Sequence, residues 1–298
     1  EEKRKRAGEF NLTSDLFAGK VFEDREACQE LCRILLQDDK ITIKDVKTQY
    51  AIRNLENHSV ELDIFAEDIK GNFINVEIQM YEEKAPFRRT RYYLSSIDMS
   101  ILEKGKPYAR LPDVTTVYIS RGDFIGGGRG QYKLPRKADR QDVTMSLGNG
   151  LHEIYFNLEY GTEDARVNEL LAYFKDSKPD YITENFPRIV ERVRFFKVQN
   201  EGVNIMCEIA DRIRREGRQE GIKEGIKEGI KEGIKEGIKE GIKEGENLLA
   251  MLLNNLFADG RTEDVQRAVA DTSARSKLYK EYGIGDGKVL FQNTMNLM

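Results

Sequence analysis

The 298-residue chain is 34% charged and 39% hydrophobic, lacks Trp and carries a formal net charge of −4. That balance fits one large domain or two modest ones and excludes a globally basic chain, so a nucleic-acid surface has to be a local basic patch. The longest apolar segment, 248–258, is interrupted by Asn254 and Asn255 and is too short to span a bilayer.

No signal peptide is recognisable, and no membrane partner is expected. Cys28 and Cys32, four apart, and Cys207 lack the second pair or the histidines that a zinc site needs. The three read as reduced, buried thiols of a cytoplasmic protein.

Residues 1–9 (EEKRKRAGE) read as a solvated terminus, with a basic arm for nucleic acid as the alternative. From Asp24 to Leu36 the spacing of Ala27, Leu31, Ile34 and Leu35 predicts an amphipathic helix with Asp24 at its start. Glu30 lies next to the apolar stripe; it is either a surface glutamate or an acid that reaches a neighbouring sheet. Ile41 to Ile52 alternates apolar and polar residues and predicts a first strand, followed by a polar turn at 54–59.

The next stretch, VELDIFAEDIKGNFINVEIQM (60–80), has two apolar runs around Asp-Ile-Lys-Gly-Asn, the pattern of a β-hairpin. Asp63 breaks the first run, and Glu77 and Gln79 break the second. Side chains alternate along a strand, so Glu77 and Gln79 share one face and Val76, Ile78 and Met80 the other. Pairing of the two runs can bring Asp63 near Glu77. Two carboxylates and an amide on an apolar hairpin are costly unless they coordinate something, and a divalent metal is the natural candidate.

Phe87 to Leu102 predicts a long amphipathic helix that carries Arg88, Arg89 and Arg91, with Lys84 before it and Tyr92 and Tyr93 interleaved. The cluster reads either as a DNA-binding patch beside the acidic hairpin or as a solvated helix face. Lys104-Gly105-Lys106-Pro107 ends the helix. Val114–Ser120 reads as a buried strand. Asp123–Gly130 (DFIGGGRG) lacks the Gly-Lys-Ser/Thr ending of a phosphate loop and reads as a flexible connection. Val143–Met145 and Glu153–Leu158 are expected to complete the sheet; His152 reads as structural.

Helices are expected over 163–174, 182–198 and 203–220. Residues 221–245 then repeat Gly-Ile-Lys-Glu six times. On a helix each Ile advances by about 40° per repeat, so the apolar stripe winds around the axis. Each interior Gly costs about 1 kcal/mol relative to Ala. Two readings stand: a flexible spacer, or a helix that forms on self-association and makes the protein a homo-oligomer. Leu248–Phe257 and Thr262–Tyr282 read as a helical hairpin around Ala258-Asp259-Gly260. The expected organisation is a core over 10–160, a helical extension over 161–220, the repeat over 221–245 and a helical hairpin over 246–284.

Chemically, Asp63 with Glu77 suits a hard cation such as Mg²⁺ or Mn²⁺, which needs only one or two carboxylates besides waters and phosphate oxygens. Such an ion serves phosphodiester hydrolysis, and Gln79 on the same face can orient the water or stabilise developing charge. By spacing alone the signal is weak; its weight comes from sitting on an apolar hairpin flanked by helices.

Together LTSDLFAGKVF (12–22), ELDIFAEDIKGNFINVEIQ (61–79), FRRTRYYLSSIDMSILEKGKPYARLPDVTTVYIS (87–120), the Gly-Ile-Lys-Glu repeats and LYKEYGI (278–284) resemble the Rpn family of recombination-promoting nucleases, also called PD-(D/E)XK nuclease family transposases. The resemblance implies an α/β, restriction-endonuclease-like core of mixed sheet flanked by helices, and metal-dependent DNA endonuclease activity tied to recombination or mobile DNA. It implies that Asp63 and Glu77 hold the metal, that Gln79 replaces the superfamily's usual lysine, and that an acid on the first helix assists, with Glu30 as the candidate. A non-cleaving DNA-binding or scaffold protein on a degenerate nuclease core is the competing expectation.

Overall fold

The computed structural model describes residues 1–53, 58–81, 86–134, 137–140, 143–146 and 148–285. These form nine helices and eight strands: α1 (Glu2–Gly8), α2 (Asp15–Phe22), α3 (Arg25–Leu36), β1 (Ile43–Ile52), β2 (Val60–Asp68), β3 (Phe73–Gln79), α4 (Pro86–Ile101), β4 (Val114–Ser120), β5 (Gln131–Leu134), β6 (Lys137–Arg140), β7 (Val143–Ser146), β8 (Leu151–Asn157), α5 (Ala165–Asp176), α6 (Pro187–Val198), α7 (Asn200–Ala258), α8 (Thr262–Ala270) and α9 (Thr272–Glu281). They fall into two compact units, Glu1–Arg212 and Ile213–Met298.

The first unit is a mixed sheet of six strands in the order β1-β2-β3-β4-β8-β5, flanked by helices. β1, β2 and β3 are antiparallel neighbours, β3, β4 and β8 run parallel, and β5 returns antiparallel to β8. The β2–β3 turn forms because Gly71 adopts φ +83°, open to glycine at no steric cost. The Asp68 carboxylate accepts from the Lys70 and Asn72 amides at 2.8 Å each and secures that turn. One face of the sheet packs Ile64, Val76, Ile78, Val117 and Phe156 against α2, α3, α5 and α6 through Phe17, Leu31, Phe174 and Phe196. The α4 side is closed by Phe65, Leu94 and Ile97. Asp24 caps α3 by accepting from the Ala27 amide at 3.1 Å.

Several expectations are corrected. Residues 143–145 fall in β7, which pairs with β6 in a separate two-stranded sheet. The sheet edge is held by Gln131–Leu134, which adds antiparallel to β8 after a glycine loop with Gly126 and Gly128 at positive φ. The N-terminal segment is a docked helix, not a solvated terminus. Arg6 pairs with Asp211 at 2.5 Å, and Lys3 and Arg4 donate to Asn204 and Asn200. Most of the turn expected at 54–59 lies outside the described residues, as do Lys84 and the chain beyond Gly285.

In the repeat, α7 continues without interruption, and Ile222, Ile226, Ile230, Ile234, Ile238 and Ile242 are 53–60% exposed. In the second unit Leu252 and Leu256 pack with Ala268, Leu278 and Ile284. The expected Thr262–Tyr282 helix is two helices, because Asp271 breaks it and caps α9 by accepting from the Ser273 amide at 2.8 Å. Among the described residues no helix is long and apolar enough to cross a membrane.

Candidate active site

The hairpin register sets the site. Ile64 pairs with Val76 and Phe65 with Asn75, so the next step along each strand brings Asp63 to Glu77. Alternation turns Asn75, Glu77 and Gln79 away from the core that takes Val76 and Ile78. The Ile78 amide donates to Asp63 Oδ2 at 2.7 Å, and Asn75 Nδ2 donates to Glu77 Oε1 at 3.0 Å.

Glu77 is 3% exposed, and its Oε2 accepts no hydrogen bond among the described residues. A buried carboxylate oxygen without a donor is expensive in its ionised form. Burial pushes Glu77 well above the usual carboxylate range, and the charge of Asp63 pushes in the same direction. Burial also raises Asp63 to about 6, with the Ile78 amide opposing and the charge of Asp15 adding.

α4 crosses this face and splits the basic cluster in two. Arg88 and Arg91 are exposed, whereas Arg89 turns inward. Its Nη1 donates to Gln79 Oε1 at 3.1 Å, and its Nε donates to the Tyr93 hydroxyl at 3.1 Å. The guanidinium lies 5.1 Å from the centre of the Tyr93 ring. Arg89 therefore belongs to the Asp63–Glu77–Gln79 group, and not to the outward surface that the sequence assigns it with Arg88 and Arg91. Tyr92 is partly exposed, and its hydroxyl donates to the His58 carbonyl at 2.6 Å.

The sequence expectation for Glu30 meets a different arrangement. Both of its oxygens cap the start of α6, accepting from the Arg188 amide at 3.0 Å and the Ile189 amide at 2.9 Å. The helical acid that acts electrostatically on Asp63 is Asp15, the first residue of α2. Sequence reasoning missed it; its only local signal is its place inside LTSDLFAGKVF. Gln49 is a second missed residue. It adopts φ +49° in β1, between the pairs Thr48–Ile64 and Tyr50–Leu62 and so across from Asp63, and its amide nitrogen is buried without an acceptor among the described residues. Asp123 gathers its own loop, accepting from the Ile125, Gly126 and Gly128 amides and the Tyr132 hydroxyl, so DFIGGGRG is a tied loop. His152 lies 3.9 Å from Asp113, away from this group.

Beside Gln79 a cleft of about 1280 Å³ opens, lined by Thr13, Tyr81, Arg121, Phe124 and Lys175 among others. Among the described residues no three His, Cys, Asp or Glu side chains converge to hold an ion by themselves. Mg²⁺ or Mn²⁺ asks for less, because it keeps waters and takes phosphate oxygens. Asp63 with Glu77 fits that demand: two carboxylates with hard oxygens, and on Glu77 a buried oxygen that accepts no hydrogen bond among the described residues.

A family model described as PD-(D/E)XK nuclease family transposase matches residues 15–164. The match runs from Asp15 through the hairpin, α4 and the parallel strands, and so contains Asp63, Glu77, Gln79 and Arg89. No curated protein and no solved structure matches the chain significantly. The family match, together with the six-stranded mixed sheet, supports a nuclease-like function, and the chain belongs to the PD-(D/E)XK nuclease family transposases.

Proposed function

We propose that this protein is a divalent-cation-dependent endonuclease that hydrolyses phosphodiester bonds of DNA. The carrying observation is Glu77 Oε2, buried beside Asp63 and accepting no hydrogen bond among the described residues. Burial opposes the ionisation of both acids, and the charge of Asp63 adds to it at Glu77; a cation held by the two would reverse that balance. Asp63 and Glu77 would hold Mg²⁺ or Mn²⁺, which when bound supplies positive charge at a phosphoryl oxygen and a more acidic water.

The chain's own residues arrange the rest. The Ile78 amide fixes Asp63, and Asn75 fixes Glu77. Gln79 stands at the mouth of the cleft on the same face and orients the phosphate or the attacking water. Arg88, Arg91 and Tyr92, outward on α4, meet the DNA backbone. Asp15 adds negative charge at the edge of the pair. In the reaction the water oxygen bonds to phosphorus, one ester P–O bond breaks, and a water proton ends on the leaving oxygen.

Nicking of supercoiled plasmid tests the assignment. The wild type nicks with Mg²⁺ or Mn²⁺ and not with chelator, and Asp63→Ala loses the activity. Nicking unchanged in Asp63→Ala removes the site; no nicking with either ion points to a non-cleaving DNA-binding protein on the same core.

We also infer that the repeat segment of α7 self-associates, because six isoleucines in regular succession stand exposed along it.

A further inference from the structure

Phosphoryl transfer builds negative charge on the equatorial oxygens, and a fixed cationic donor aimed at them is a large part of catalysis. At the end of β3 this chain offers Gln79, which has no charge. The charge comes from the neighbouring helix. We propose that Arg89 is the catalytic cation of this nuclease and that Gln79 is the positioning residue that aims its guanidinium; the inference rests on the nuclease reading above.

Three observations carry it. Arg89 Nη1 and Gln79 Oε1 are 3.1 Å apart. The guanidinium is held from behind by Tyr93, one turn along the same helix, through a 3.1 Å bond from Nε and by ring contact at 5.1 Å. Arg89 is half-buried, while Arg88 and Arg91 on either side of it are exposed, so among the described residues it is Arg89 of the three that side chains of the site position.

The hydrogen bond also fixes which way Gln79 faces. A guanidinium has donors and no acceptor, so the amide must turn its oxygen to Arg89 and its NH₂ away. The Gln79–Arg89 pair then presents N–H groups to whatever lies against it, which suits a phosphoryl oxygen and repels a cation. The planar fork of arginine matches two oxygens of one phosphate, a geometry that lysine lacks. The metal ligands and the cationic donor thus sit on different elements, β2 and β3 for the carboxylates and α4 for the charge.

The test compares wild type, Arg89→Gln, Arg89→Lys, Gln79→Lys and the double variant Gln79→Lys/Arg89→Gln. Single-turnover cleavage of a DNA duplex is read alongside Mn²⁺ affinity by calorimetry, DNA affinity by anisotropy in chelator, and thermal unfolding. Arg89→Gln is expected to slow cleavage on the order of 10²–10³-fold while both affinities stay within about threefold. Arg89→Lys is expected to keep an intermediate rate, and the double variant to recover at least about tenfold over Arg89→Gln, because the charge returns on β3. A rate for Arg89→Gln within about threefold of wild type overturns the proposal. So does a loss of Mn²⁺ affinity or DNA affinity that matches the loss of rate, which would make Arg89 a support for the carboxylates or a backbone contact. Failure of the double variant to recover, with its unfolding temperature unchanged, also overturns it. If wild type and Asp63→Ala cleave alike, or neither cleaves, the nuclease reading itself has failed and the proposal falls with it, a result visible without any Arg89 variant.

Discussion

Asp63 Oδ2 and the backbone amide of Ile78 are joined by a 2.7 Å hydrogen bond across the β2–β3 hairpin. The bond ties a carboxylate on one strand to the main chain beside Glu77 on the other. The acid pair is therefore as rigid as the hairpin, and its electrostatic cost is built into the folded state.

That cost has a sign and a window. Burial raises Asp63 from 3.8 to about 6, so between roughly pH 4 and 6 the native state binds more protons than the unfolded chain. The contribution of Asp63 to metal-free stability is then full below about pH 4 and falls as pH rises through that window. Asp63→Asn removes the penalty and is expected to stabilise the metal-free protein at pH 7.5 by on the order of 2–3 kcal/mol, with little gain at pH 3.5. Thermal unfolding at the two pH values checks it; equal shifts at both would contradict the raised titration of Asp63.

Cation affinity should follow the same titration in the opposite sense, since bound metal needs the carboxylates ionised. Mn²⁺ binding is expected to weaken about tenfold between pH 7.5 and pH 5 from Asp63 alone, and further from Glu77. Calorimetric titration at several pH values reads it directly. A flat profile would place the ion elsewhere.

Glu30 is expected to matter for folding and not for chemistry. Glu30→Ala strips two acceptors from the first turn of α6 and should cost about 1–2 kcal/mol. Chemical denaturation measures this, and cleavage per folded molecule should match wild type. A cleavage loss beyond the folded fraction would return Glu30 to the site.

Removing whole repeats, residues 221–244, is expected to lower the molar mass found by sedimentation, since the exposed isoleucines are lost with them. Replacing all six isoleucines by Ser should do the same with the helix length kept. An unchanged molar mass in both variants ends the case for association through this segment.

What could be read from the chain tracks how local each feature is. The hairpin announced itself because Asp-Ile-Lys-Gly-Asn specifies the turn and the period of two separates Glu77 and Gln79 from Val76 and Ile78. Arg89 could not be told from Arg88 and Arg91, because the facing of a helix depends on the strand beneath it. Glu30 meets Arg188 and Ile189 across 158 and 159 positions, a contact that no local pattern encodes. Asp15 and Gln49 owe their places near Asp63 to the seating of α2 and to the pairing of β1 with β2, where Gln49 takes a positive φ. The glycine-rich repeat forms a continuous helix although its per-residue propensity argues against one, and the edge strand Gln131–Leu134 has too short a pattern to be seen.

The hairpin turn has one more consequence. Because side chains alternate, a shift of one residue in the β2–β3 pairing would send Glu77 and Gln79 into the apolar layer and separate Glu77 from Asp63. Only chains whose strands have paired in step possess the two-carboxylate set, so a cation that binds there selects them by mass action and leaves the misaligned ones unsupported. In this molecule the ion that serves the chemistry would also act as proofreader of the turn at Gly71.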